Sequence, residues 1–354
     1  MTLMPPHSNT RKSVLSTAPG TVSLLSLPRA LAGGTRGAGD PEADGASTGP
    51  DAMAGNALIN LVKHAFRASS HRSVATTVGG LSARMTTGLM ALGVLIFSAL
   101  SVSPAHADCN AEPAQGINWA GCDKQGAELE GATLNRALLR RIDFTGAMLQ
   151  GVNLEGAVVT DASLDEADLR NGQLRRADFG ASRLARAQFD GADLKGARFV
   201  SSSLPEASFV GADLEDVRFD SADLTASRFN EARLSGASFY NARLQGVDFT
   251  DAQANNSRFT RANLEGARLR GADLSDANLE QVNLEGADLT GANLRGANLD
   301  RASLDGADFT GANLERADLR NASTRGTVFE EARLGNATWT DRRHCRPRSV
   351  GDCD

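Results

Sequence analysis

Gly286-Ala287-Asp288-Leu289-Thr290-Gly291-Ala292-Asn293-Leu294 sets down Ala, an acid or amide, and Leu in succession, then begins again five residues later. The same period runs outward in both directions without a slip, from about Gly126 to Trp339. Large apolar residues stand at Leu129, Leu134, Leu139, Phe144, Leu149 and Leu154 and continue by fives to Leu334 and Trp339, which makes about 43 repeats. Two residues before each of them stands a small one, as at Ala127, Ala132, Ala137, Ala147 and Ala157, and polar residues with frequent Gly take the remaining places. A period of five matches neither the 3.6 of a helix nor the 2 of a strand, so the chain must turn a corner in every repeat.

This pattern resembles the pentapeptide-repeat family, whose motif is A-[DN]-L-x-x, and residues 126 to 339 match it almost throughout. The resemblance implies an all-β fold, a right-handed quadrilateral β-helix in which four repeats make one coil and the Leu or Phe and the small residue point inward. The residues supply a test of the four sides, because positions twenty apart should then stack. One ladder reads Phe189, Phe209, Phe229, Phe249 and another, ten residues out of phase, reads Phe179, Phe199, Phe219, Phe239, Phe259. Between them run ladders of Leu, such as Leu174, Leu194, Leu214, Leu234 and Leu184, Leu204, Leu224, Leu244. A three-sided coil would mix Phe and Leu on every face. About eleven coils at the ~4.8 Å spacing of paired strands give a rod roughly 50 Å long. Ala254 and Thr324 stand where the large residue belongs and mark thinner core layers, while Pro205 falls at a corner that its fixed φ suits.

Ahead of the repeats the composition changes. Residues 1–84 read as disordered, or as a mis-assigned N-terminal extension with Met85 as the true start. Residues 85–107 read as a signal peptide: a basic head at Arg84, an apolar run from Leu89 to Leu100, and Ala105-His106-Ala107 before a cleavage point that leaves Asp108 as the new terminus. A membrane anchor over residues 89–104 is the alternative, although the run is shorter than the ~20 residues a spanning helix needs. Residues 108–125 read as an N-terminal cap, 126–340 as the solenoid and 341–354 as a C-terminal cap, with Trp119 and Trp339 closing the two ends. All four cysteines follow the cleavage point, as Cys109 with Cys122 and Cys345 with Cys353, so a local disulfide at each end, in a periplasmic or secreted protein, is the economical reading.

Chemistry is sparse. Beyond the cleavage point the sole His is His344, in the C-terminal cap, so catalysis built on histidine has no partners, and no enzyme, cofactor or metal is expected. Acidic pairs such as Asp161 with Asp165, or Glu215 with Asp216, sit on a wall without a desolvated cleft and read as solvated surface. Residues 108–354 carry 29 Lys and Arg against 39 Asp and Glu, which disfavours nucleic acid as a ligand. Arg198, Arg218 and Arg258 stack on one outer face and form a possible partner-binding surface, whereas residues 271–320 hold 10 acids against 4 bases. The sequence therefore points to an exported structural or protein-interaction scaffold with a protein partner. The family resemblance adds an alternative, since some cytoplasmic members mimic DNA and bind type II topoisomerases; a surface carbohydrate binder is a weaker third.

Overall fold

The computed structural model describes residues 107–354. The expectations for residues 1–84, for the signal segment up to His106 and for an anchor at 89–104 lie outside the described residues. Within them the chain winds as a right-handed quadrilateral β-helix. Each outward-facing mid-face residue bridges in parallel to the residue twenty positions on, unbroken from Asn118↔Leu138 to Asp318↔Thr338. Residues twenty apart are thus neighbours, and the four ladders of the sequence become four faces. We number them by their core residues: face 1 carries Phe144 and Leu164, face 2 Leu149 and Leu169, face 3 Leu154 and Leu174, and face 4 Val159 and Phe179.

The motif acquires a physical meaning from its hydrogen bonds. Each repeat has five backbone N–H groups, and four of them find backbone carbonyls. Around Leu289 the Asp288 N–H donates down to Ala267, those of Leu289 and Gly291 donate up to Asp308 and Thr310, and that of Ala292 closes a turn onto the Leu289 carbonyl at 3.0 Å. The fifth, on Thr290, has no place in the ladder and is taken by the Asp288 carboxylate at 3.0 Å. Asn283 serves Glu285 and Asn298 serves Asp300 in the same way, at 3.1 and 3.0 Å. An acid or amide before the Leu therefore satisfies the one donor that the coil leaves over.

The corners are turns whose third residue has positive φ, the geometry that a type II turn requires. All 45 corner positions from Gly116 to Asn336 adopt it, and 25 of them are not glycine. An L-residue held there gives up roughly 1–2 kcal/mol relative to its usual conformation. Pro205 is the second residue of one such turn, with Glu206 at φ 59° after it and the Ala207 N–H returning to Leu204, where a fixed φ is favoured. Glycines are unevenly shared: of the 20, seven each fall on the corners after faces 1 and 2, five on the corner after face 3, and one, Gly121, on the corner after face 4.

Inside, the nine phenylalanines from Phe179 to Phe259 form a zipper. Rings stack along each face, Phe179 on Phe199 at 4.9 Å, and meet edge to face across the axis, Phe189 on Phe199 at 5.7 Å. Opposite walls suit Phe because only there do the rings reach one another in both preferred geometries. Some small positions hold serine. The Ser182 and Ser202 hydroxyls donate to the carbonyls of Val159 and Phe179, each at 2.7 Å, so their burial leaves no orphan.

Both ends are closed by disulfides, Cys109–Cys122 with Cα atoms 5.4 Å apart and Cys345–Cys353 with Cα atoms 4.7 Å apart. Trp119 is fully buried in the first coil, and the ammonium of Lys124, which occupies a large-residue position, lies 4.3 Å over its ring. At the other end the tail folds back antiparallel, His344 against Thr338 and Val350 against Arg333, and so covers faces 3 and 4 of the last coil. Trp339 packs at 5.3 Å on Phe329. Faces 1 and 2 end less completely, leaving Thr324 and Phe329 half-buried. Among the described residues no helix is long and apolar enough to cross a membrane.

Candidate partner-binding face

Face 4 brings Arg198 and Arg218 into direct bridge contact, and Ser238 then links Arg218 to Arg258. The period of twenty does this by itself, since Arg198, Arg218, Ser238 and Arg258 occupy the same outward position of four successive coils. Their side chains remain about half exposed, at 49%, 49% and 50%. They are also held. Arg198 faces Asp178 at 3.7 Å, whereas Arg218 and Arg258 converge on a single carboxylate, that of Asp220. Arg218 donates through Nε and its terminal nitrogen at 3.0 and 2.7 Å, and Arg258 donates at 3.1 Å. Ser238 gives Asp220 a further short hydrogen bond.

Asp220 is 6% exposed. Burial alone would raise its pKa, but hydrogen bonds from Ser238, Arg218 and Arg258, with the charge of Arg218, more than reverse that, and the carboxyl sits below its ordinary value. The result is a pinned anion with two oriented guanidinia. Tyr240 extends the cluster: Arg258 lies over its ring at 4.9 Å, and Arg261 donates to its hydroxyl at 3.4 Å. Around the corner onto face 1, an open groove of about 440 Å³ is lined by Ser201, Ser202, Ser203, Ser221, Asp223, Asn241 and Arg243.

The sequence brought out the three arginines but missed Asp220, Tyr240 and Arg261. Asp220 stands one residue after the core Phe219, a place where the motif tolerates anything, and only the coil of twenty reveals that guanidinia approach it from both sides. In each acidic pair singled out in the sequence one member is held by a cation. Asp165 binds Arg183 at 2.7 Å, and Glu215 lies 3.0 Å from Lys195 and also pairs with Arg233. Exposed pairs of this kind contribute about 0–1 kcal/mol each. Among the described residues no three His, Cys, Asp or Glu side chains are grouped to hold a metal ion. His344 meets Thr338, its Nδ1 3.3 Å from the hydroxyl.

Comparison with known proteins fits this geometry. A family model described as pentapeptide repeats (8 copies) matches residues 125–161, 143–180, 182–220, 287–323 and 312–338, and one described as a pentapeptide repeat region matches 202–279. Neither is a catalytic family. Similar solved structures include trypsin-treated QnrB1, a plasmid-mediated fluoroquinolone resistance protein, at 24% identity and a TM-score of 0.43, over 47% of this chain and 89% of that one. HetL, involved in heterocyst differentiation regulation in the cyanobacterium Nostoc sp. strain PCC 7120, is 29% identical with a TM-score of 0.25, over 57% of this chain and 92% of its own. A pentapeptide repeat protein of the Arabidopsis thaliana thylakoid lumen is 26% identical with a TM-score of 0.18, over 40% and 84%. Among curated proteins none matches.

Proposed function

Because the chain belongs to the pentapeptide-repeat family, we propose that it is an exported, non-catalytic scaffold whose rigid wall docks a partner protein on face 4, at Arg198, Arg218 and Arg258. The observation that carries this reading is the shared carboxylate. Asp220 fixes two half-exposed guanidinia, so a partner finds them already oriented and little side-chain entropy is lost on binding. The two disulfides support an oxidising compartment, where such bonds persist. Cleavage after Ala107 is part of the same proposal, and sequencing the N-terminus of the accumulated protein tests it: Asp108 is expected, and a mature chain that begins upstream of Met85 refutes it.

The acidic stretch 271–320 favours a second reading, the DNA-mimicking topoisomerase binder, which requires a cytoplasmic protein with reduced thiols. A sugar-binding wall has less support, because the single Tyr ring is covered by Arg258. The deciding experiment places a photo-crosslinking side chain at Ser238 and recovers adducts from the envelope. A discrete adduct is expected, and its persistence in the Arg198→Glu, Arg218→Glu, Arg258→Glu triple variant would remove face 4 from the mechanism.

A further inference from the structure

The corner after face 4 is unlike the other three. From Arg141 to Asn321 it holds ten consecutive residues at positive φ and not one glycine, although glycine relieves the same strain at 19 of the other corner positions. Backbone strain kept at all ten of these positions, where the other corners relieve it at more than half of theirs, indicates that the side chains on that edge have a use. They are exposed at Ala181, Ser201, Ser221, Asn241 and Arg261.

Charge separates along the same diagonal. Taking the outward and corner positions of residues 178–263 that border this edge, six guanidinia (Arg183, Arg198, Arg218, Arg243, Arg258, Arg261) stand against three carboxylates, a net of +3. The diagonally opposite edge, between faces 2 and 3, carries in residues 168–253 seven carboxylates, among them Asp190, Glu231, Asp248 and Asp251, against three guanidinia, a net of −4. At the corner of that second edge Gly191 and Gly211 stand between Asn171 and the acids Glu231 and Asp251, and nothing lies within 4 Å of where a Cβ on Gly211 would be.

We infer that the two edges are the halves of one self-complementary interface, through which a second copy of this chain docks side by side. The basic edge of one rod lies against the acidic edge of the next. Both edges are built on the same coil, so their charged rows have the same spacing and stay in register when the rods are parallel. Because the edges are opposite, the operation that relates two copies is a lateral translation. It repeats without closing, and the product is an open row of parallel rods. It draws on Arg198, Arg218 and Arg258, so a foreign partner on face 4 would compete with it, and sedimentation of the purified protein reads the self-association alone.

Sedimentation of the protein, purified in the form in which it accumulates in cells, tests the inference. At about 10 mM salt, where the Debye length is ~30 Å, the weight-average mass should rise at least twofold with concentration, and at about 1 M salt, where it is ~3 Å, it should fall to that of one chain. Arg198→Glu with Arg261→Glu spoils the basic edge, and Glu231→Lys with Asp251→Lys spoils the acidic one. Each variant alone should stay monomeric. Mixed, they retain one intact junction between them and should stop at a two-chain species. Ser201→Gly with Ser221→Gly should weaken association while leaving the fold intact by circular dichroism. A wild-type chain that is monomeric at low salt overturns the proposal, as does a mixture of the two variants that forms nothing. A salt-insensitive oligomer indifferent to all four charge reversals would place self-association elsewhere and overturn it equally.

Discussion

Ala254→Leu should stabilise the protein, and the structure sets the size of the gain. Ala254 is 1% exposed and stands in the face 3 ladder between Leu234 and Leu274. Had the walls closed around the smaller side chain, the ladder there would be distorted. It is not: the Leu234 N–H reaches the Gln253 carbonyl at 2.7 Å and the Ala254 N–H reaches Asp273 at 2.7 Å, the same as Leu214 to Arg233 one coil earlier. The rings of Phe249 and Phe259 keep their 5.8 Å edge-to-face contact, against 5.7 Å for Phe239 and Phe249. The room that Leu fills above and below is therefore still present. Three added carbons at ~0.8 kcal/mol each give about 2.4 kcal/mol. Because neighbouring coils stabilise one another, the gain should be concentrated locally and is best read by hydrogen exchange of the amides between residues 249 and 279. At ~1.4 kcal/mol per tenfold, their slowest exchange should fall roughly fiftyfold. Unchanged or faster exchange would show that the added side chain overpacks the layer, a penalty of about 1–3 kcal/mol, and that the inference of a void from undisturbed walls is wrong.

Reducing the disulfides should loosen the ends and spare the middle. Loop entropy alone assigns about 3 kcal/mol to the Cys109–Cys122 closure and about 2.6 kcal/mol to Cys345–Cys353, so exchange should rise near Trp119 and Trp339 while the amides around Phe219 stay protected. Asp305→Asn should flatten the acid limb of stability. The Ser323 hydroxyl, the Arg325 guanidinium and the Arg325 N–H hold the Asp305 carboxyl at about 2, below its usual 3.8, so its contribution is complete above pH 3.8 and is lost as the pH falls through about 2. Acid titration followed by circular dichroism should show a shallower decline for the variant in that window. Ala226→Gly, at a positive-φ corner after face 1, should raise stability by about 1 kcal/mol at most, since relief of the strain is partly offset by the greater freedom of the unfolded chain; a loss on chemical denaturation would refute the strain assignment. Asp220→Ala should destabilise by roughly 2–3 kcal/mol, because it leaves Arg218 and Arg258 facing each other unbridged, and restoration by a further Arg218→Ser change would confirm that repulsion is the cause.

Much of the fold was legible because one residue type answers one geometric demand. Leu289 or Phe219 must point inward and Ala287 must let the walls close, and stacking at a spacing of twenty identified four faces through the Phe and Leu ladders. The roles of Asp288 and Asn293 were harder to see, since a preference for an acid or amide looks like surface composition until the unpaired N–H of the next residue but one is counted. Lys124 escaped notice because its ammonium is satisfied by the ring of Trp119, a contact with no periodic signature. The candidate face was only half legible. Equal spacing placed Arg198, Arg218 and Arg258 together, but the dependence of two of them on Asp220 needs one carboxylate to reach an arginine 2 positions before it and another 38 positions after it. The uneven distribution of glycine among the corners was present in the sequence throughout and became visible only once positions were sorted by face.

The coil of twenty also governs how such a gene can change length. Loss or gain of a full twenty-residue coil leaves every face aligned, shortens or extends the wall by one layer, and keeps Arg198 above its neighbours. A change of five residues keeps the reading of the motif but rotates everything beyond it by a quarter turn, so that Phe ladders continue as Leu ladders and a basic edge continues as another edge. Heritable variation in this protein should therefore come in quanta, with the single repeat the unit that folds and the set of four the unit that can be inherited without disturbing its surface.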